Sequence, residues 1–440
     1  MRRSHAALFL ALAPLVAQPS APSFAGTWEG AIQIPGTEMK IQVTLEGAGA
    51  AWSGRISIPP QGAKDLALGE VKVVGDAVSF VMPGIPGDPK FSGKLGKAGR
   101  IEGMFSQGGQ VFPFVLARAG AAAPVAAAAP KPDPQDRELG FPGFNAFPLK
   151  GSVRAGGAHP YFAVMVAGSG PTDRDWSNPL ISVPSHGGRD FAAWLQGHGL
   201  GSLRYDKRFI GSRDPKLDIS LDAQLGDIKA ALKAARLLPE ARGKKLLLVG
   251  HSEGSLLSLL AAGEADAALL LAMPGISMGK LIVLQVKGQL ESSGAPEAFQ
   301  KQNLTYLEGV LEAIRGDKEL PAAAEGIAQG IVNLAKSLTR PESRGFVRAT
   351  MDLDPWGSAQ RLAVPCAVVW GERDIQTWKP ATVPPEFKGT VLQIPEANHL
   401  FKRETRDKAS LAGPAALTTY GDTTPLADLS PLAAWLKTLK

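Results

Sequence analysis

Six short apolar runs recur through the later two thirds of the chain: "YFAVMVAGSG", "GSLRYDKR", "KKLLLVGHS", "AALLLAMPG", "CAVVWGERD" and "GTVLQIPEANH". Most are nearly continuous in apolar residues, as strands buried on both faces of a parallel sheet must be. Between them lie segments of helical spacing, such as "RDFAAWLQGHG" and "LDAQLGDIKAALKAARLLPE". Strand and helix in alternation predict an α/β domain, a mostly parallel sheet with helices on both faces. Residues 277–362 interrupt the alternation with helical patterns and no strand. A connection that long carries its own structure, and it reads as an inserted helical cap.

Upstream, the style is different. Residues 24–118 alternate with period two: "KIQVTLEG" puts Ile41, Val43 and Leu45 on one face, and "GRISIP" adds Ile56 and Ile58. Gly and Pro punctuate about every ten residues. Roughly eight short strands are expected there, as an antiparallel barrel or small sandwich. Residues 119–137, including "AGAAAPVAAAAPKPDPQD", offer no large apolar side chain to a core and read as a linker. The α/β domain, with two antiparallel strands expected to open it near 143–155, then occupies 138–440.

The N-terminus begins "MRRSH", continues with the apolar run "AALFLALAPLVA" and ends in small residues near Ala17 to Ala25. This is the pattern of a cleaved secretory signal over residues 1–23, and it predicts a periplasmic or extracellular location. The run is too short to span a bilayer, and no later stretch reads as transmembrane. The single cysteine, Cys366, rules out an internal disulfide framework and a multi-cysteine metal site. The net charge of +6 is scattered rather than gathered into a phosphate-tracking run, which argues against nucleic-acid binding.

Two G-x-S-x-G matches occur, Gly250-His251-Ser252-Glu253-Gly254 and Gly275-Ile276-Ser277-Met278-Gly279. In a chain with 50 glycines, neither is evidence by itself. A nucleophile on this motif needs a strand that ends abruptly, a strained turn and a helix pressed against the sheet. "EGSLLSLLAAGEA" after Ser252 has the small residues for that contact, whereas "MGKLIVLQVKGQL" after Ser277 is bulky.

With "GSGPTDRD", "LRYDKR", "GHSEG", "VVWGERD" and "EANHLF" in this order, residues 140–440 resemble a bacterial α/β-hydrolase of the esterase and serine-aminopeptidase-like group. Members often carry an N-terminal β domain. The resemblance implies an eight-stranded sheet with the nucleophile after the fifth strand, an acid after the seventh and a histidine after the eighth. Those positions fall on Ser252, Asp374 and His399. Where the group commonly has Gly-Val-Gly after "RYDKR", this chain has Phe209-Ile210-Gly211, so loop shape there is its own.

The implied chemistry is attack by Ser252 on a carbonyl, with His399 as base and Asp374 orienting it, through an acyl-enzyme. Glu372 is the fallback acid. An oxyanion hole is expected from the backbone N–H of Glu253 and, in "AGSGP", of Ser169 first and Gly170 next. His186-Gly187-Gly188 imitates another oxyanion motif but opens a helix, and is set aside. His251 beside the nucleophile is expected to point elsewhere, His198 to end a helix and His159 to precede a strand. Asp173, Arg174 and Asp175, with Asp206, Lys207 and Arg208, read as an ion-pair network bracing the oxyanion loop, with substrate binding as the alternative. Trp176, Trp356 and Trp370 read as core before acyl pocket. No phosphate-cradling or H-E-x-x-H pattern occurs, so no cofactor or metal is implied.

The expectation is therefore a serine carboxylesterase acting on small-molecule esters of small to medium size. Its rivals are a peptidase, amidase or thioesterase using the same triad, and a ligand-binding protein built around the β domain. That domain would cover the site mouth or dock a surface ligand.

Overall fold

Alternation in the first unit and continuous apolar runs in the second produce two separate sheets. The structure is a computed structural model. It describes residues 24–120 and 133–440, apart from 35–36, 50, 86, 88, 97–98, 108–109, 171, 179–184, 211, 213, 215, 378, 381 and 412–416. The signal expected at 1–23 and most of the linker lie outside the described residues.

The N-terminal sheet comprises β1 (Gly26–Ile34), β2 (Thr37–Ala48), β3 (Ala51–Ile58), β4 (Ala63–Ala67), β5 (Gly69–Val74), β6 (Ala77–Val81), β7 (Lys90–Leu95), β8 (Ile101–Gln107) and β9 (Gln110–Arg118). Its order is β4-β3-β2-β1-β9-β8-β7-β6-β5, antiparallel throughout. The two ends curl together where β3 meets β5. Nine strands replace the eight expected, because only Leu68 separates β4 from β5 and the alternation does not register that break. Ile41, Val43, Leu45, Ile56 and Ile58 point inward with Trp28, Phe80, Phe91 and Phe114; the Phe80 and Phe91 rings stack, and Phe91 meets Phe114 edge-on.

The second sheet contains β10 (Asp136–Pro142), β11 (Pro148–Arg154), β12 (Tyr161–Val166), β13 (Gly201–Tyr205), β14 (Lys245–His251), β15 (Ala267–Leu271), β16 (Cys366–Gly371) and β17 (Thr390–Ile394). Its order is β10-β11-β13-β12-β14-β15-β16-β17. All pairs from β13 to β17 are parallel, and β11 runs antiparallel to both its neighbours. Eight strands is the number the resemblance implies. The opening hairpin starts at Asp136, earlier than the expected 143–155 and two residues inside the segment read as linker. Asp136 is held there by Arg154 at 2.7 Å and Arg204 at 2.6 Å, buried ion pairs that composition does not reveal.

Helices α1 (Gly187–Gly197) and α9 (Ser430–Leu436) cover one face, packing Phe191, Leu195 and Leu432 on Ala163, Met165, Leu247 and Val249. On the other face, α2 (Leu221–Arg236) and α3 (Glu253–Ala261) pack Ile228 and Leu257 on Phe162, Val164, Leu246 and Leu248. Consecutive strand residues therefore serve opposite cores, which is why the runs are apolar throughout.

Between β15 and β16 lie α4 (Met278–Ser292), α5 (Glu297–Arg315), α6 (Gln329–Leu338), α7 (Pro341–Thr350) and α8 (Pro355–Gln360). Parts of α4 to α7 share small apolar clusters of their own. The last helix differs: Trp356 and Ala359 of α8 pack with Val368, Trp370 and Phe387 in the sheet core. So α8, although within 277–362, belongs to the layer over the sheet rather than to the insertion. Among the described residues, no helix is long and apolar enough to cross a membrane.

Candidate active site

Strand β14 ends at His251, and α3 begins at Glu253, so a single residue makes the whole turn. That residue, Ser252, takes φ 57° and ψ −125°, a strained conformation for any side chain with a Cβ. The turn closes only because its flanks are bare. A methyl group on Gly254 would lie 2.4 Å from the Ala167 carbonyl oxygen, and one on Gly250 would lie 2.3 Å from that of Gly254. Ser277 has none of this. Residues 272–276 separate it from β15, and it sits at φ −58° before α4.

Asp374, in the loop after β16, is fully buried and accepts a hydrogen bond from His399 Nδ1 at 2.7 Å. The N–H groups of Gln376 and Thr377 donate to its Oδ1, and the Thr377 hydroxyl donates to its Oδ2 at 2.8 Å. Burial alone would raise the Asp374 pKa. The opposing charge of His399 and these hydrogen bonds outweigh burial and hold the carboxylate below its ordinary range. Glu372 is excluded from the role: its carboxylate is half exposed and receives the Glu396 N–H instead.

His399 sits in a loop built by Asn398, whose side-chain oxygen accepts from the N–H groups of Leu400 and Lys402. Among the described residues no Ser252–His399 hydrogen bond is formed; a bond between a nucleophile and its base often tightens only with substrate.

His251 does not point elsewhere. Its Nε2 donates to the His399 carbonyl at 2.8 Å, its ring stacks on Trp176 at 4.4 Å, and it meets the His399 ring edge-on. Burial and the nearby His399 drive its pKa down to about 3, so the ring is neutral. With Nε2 donating, the proton sits there and Nδ1 is the bare nitrogen. His251 thus ties the turn carrying Ser252 to the loop carrying His399. The available sequence signal was a histidine closing the apolar run Leu246–Gly250, where burial demands a partner.

The first residue of a helix has no intrahelical acceptor, which leaves the Glu253 N–H free of α3. The loop after β12 passes directly by: a methyl group on Gly168 would come within 3.1 Å of Ser252 Cβ. Ser169 and Gly170 follow in a tight turn, with the Thr172 hydroxyl donating to the Ser169 carbonyl at 2.7 Å and Gly170 at φ 66°.

The two charged clusters are bound to protein groups. Arg174 pairs with Asp206 and Glu138, Asp175 with Arg204, and Arg208 with Asp227. Lys207 donates to the Gly168 carbonyl and lies 3.7 Å from Glu253. Trp176, Trp356 and Trp370 are all buried in cores. His186 opens α1 and bonds Asp422 at 2.5 Å, while Gly188 packs under Trp176, which accounts for that motif structurally. His198 ends α1 and His159 precedes β12, as expected. No group of three or more His, Cys, Asp or Glu among the described residues is arranged to hold a metal ion.

No protein-family model matches the chain. It is similar to Esterase EstD of Thermotoga maritima, 26% identical over 248 residues, which is 56% of this chain and 54% of that protein. The chain thus spans about half the length of the curated relative it matches. Similar solved structures include an esterase of Pyrococcus furiosus (15% identity, 69% of this chain and 90% of that one, TM-score 0.42). A proline iminopeptidase of Mycobacterium smegmatis is similar at 15% identity, over 60% of this chain and 92% of that one, with TM-score 0.38.

Proposed function

Taking residues 138–440 as an α/β-hydrolase, we propose that the protein is a serine hydrolase that cleaves small to medium carboxylic esters. The observation carrying this reading is the strained Ser252 turn, joined through His251 to a buried His399–Asp374 pair. The similarity to a protein named an esterase supports the ester class.

In this mechanism Ser252 Oγ attacks the ester carbonyl carbon while His399 Nε2 takes the hydroxyl proton. Asp374 fixes the Nδ1–H tautomer of His399 and stabilises the imidazolium. The oxyanion forms against the N–H groups of Glu253 and Ser169, with Gly170 the next donor along. Collapse breaks the C–O bond, and His399 returns the proton to the leaving alcohol. Water, deprotonated by His399, then attacks the acyl-enzyme and releases the acid.

Helices α4 to α7 act as a cap. In support, Gln285 of α4 donates to the Gln376 carbonyl in the loop that carries Asp374. Gly275, Ile276, Leu281 and Pro380 line a small cavity at the same junction. An exported location, expected from residues 1–23, is part of the same proposal.

The test is Ser252→Ala on a short-chain aryl ester. The rate is expected to fall by at least about a thousandfold, and a variant that keeps most of the wild-type rate removes the reading.

A further inference from the structure

We infer that Lys207 is a positioning residue that sets the orientation of the Gly168–Ser169 peptide, and through it the Ser169 N–H of the oxyanion hole. The inference rests on the hydrolase reading above.

A trans peptide unit is planar, and its C=O and N–H point in opposite directions. The Gly168 carbonyl and the Ser169 N–H belong to one such unit. Whatever holds the carbonyl therefore aims the N–H the other way. The Lys207 ammonium holds that carbonyl. The unit also stands at the nucleophile, since a methyl group on Gly168 would reach within 3.1 Å of Ser252 Cβ.

The unit needs a latch. Ser169 is flanked by Gly168 and Gly170, so little steric resistance opposes a flip of either adjoining peptide. A flipped unit would present a carbonyl oxygen, rather than a donor, to the developing negative charge.

Lys207 is buried at this carbonyl and held on several sides. It is 4% exposed, although lysine is among the residues least often buried. Its ammonium lies 3.7 Å from the carboxylate of Glu253, the residue whose own N–H is the other expected donor. It also lies 4.9 Å from the centre of the Phe209 ring, a cation–π contact. Phe209 is where the resembling group commonly has glycine, so this chain encloses its lysine with a side chain of its own. Burial pulls the Lys207 pKa down while Glu253 opposes the shift. One ammonium thus joins the loop after β12 to the start of α3, the two elements that supply the oxyanion donors.

The experiment compares Lys207→Met and Lys207→Gln with the wild type on an aryl ester and its thionoester, in which sulfur replaces the carbonyl oxygen. Sulfur accepts hydrogen bonds poorly, so the ester-to-thionoester rate ratio reports the oxyanion donors. The ratio is also independent of how much protein is folded. Losing one donor outright costs roughly 100- to 1,000-fold in kcat, and an unlatched peptide is expected to lose about 10- to 100-fold of that. For Lys207→Met we expect this fall in kcat, KM within about threefold, and an ester-to-thionoester ratio at least about fivefold lower. Lys207→Gln, which keeps a donor, is expected to fall between Met and wild type. A wild-type ratio in both variants overturns the inference, whether or not their rates fall. If the methionine variant does not fold, the glutamine variant's ratio decides alone. Loss of activity in Ser252→Ala together with wild-type ratios in the lysine variants refutes the latch alone; activity retained in Ser252→Ala refutes the hydrolase reading itself.

Discussion

His251 makes stability depend on pH in a way that can be worked out beforehand. Its pKa is held near 3 in the folded protein, against an ordinary value of 6.5 in the unfolded chain. Between those values the unfolded chain binds a proton that the folded protein refuses. The contribution is therefore intact above pH 6.5 and is lost as pH falls toward 3. The loss is about 1.4 kcal/mol per pH unit, or roughly 2 kcal/mol on going from pH 7.5 to 5. His251→Gln removes the titration while keeping a side-chain amide able to donate toward the His399 carbonyl. Titrating groups away from His251 are common to both proteins and cancel in the difference. The assay is urea unfolding at pH 7.5, 6 and 5, followed by tryptophan emission. Six of the eight tryptophans lie in residues 138–440, so the signal follows that domain. The wild type is expected to lose about 2 kcal/mol relative to the variant between pH 7.5 and 5. Parallel stability curves would show that His251 is protonated in the fold, and the neutral, Nε2-donating ring described here would be wrong.

Asp374→Asn replaces the carboxylate that holds the His399 tautomer, and kcat is expected to fall about 10,000-fold. Glu372→Gln should leave the rate within about twofold, since that half-exposed side chain serves the Glu396 N–H; steady-state kinetics on one aryl ester checks both. Gly254→Ala forces a methyl group to within 2.4 Å and 2.5 Å of two backbone oxygens, Ala167 and Val166. A displacement approaching 1 Å at the nucleophile turn should cost kcat on the order of 100-fold and lower the melting temperature by several degrees. Gly288→Ala in α4, where a methyl group meets nothing within 4 Å, should raise stability slightly and leave kcat unchanged.

Chain order was legible in the sequence because the plan implied by the resemblance is linear: Ser252 follows β14, Asp374 follows β16 and His399 follows β17. The apolar runs marked β12 to β16 because two helical layers cover the sheet, and the strand ends could be counted off. The two serines with the same motif show the limit. What separates them is the distance from strand to helix, zero residues between β14 and Ser252 but 272–276 between β15 and Ser277. Strand ends are what a periodicity argument places least well. Contacts across the chain were not legible at all. His251 and His399 are 148 positions apart, and Lys207 and Gly168 are 39 apart. Composition treats each as an ordinary loop or strand-end residue. Yet a histidine closing an apolar strand, and a lysine left in a buried turn, each need a partner on energetic grounds alone. In this fold the partners are the backbone carbonyls of the loops around Ser252. The buried polar residues that sequence reasoning passed over are the ones that hold that turn and those loops in register.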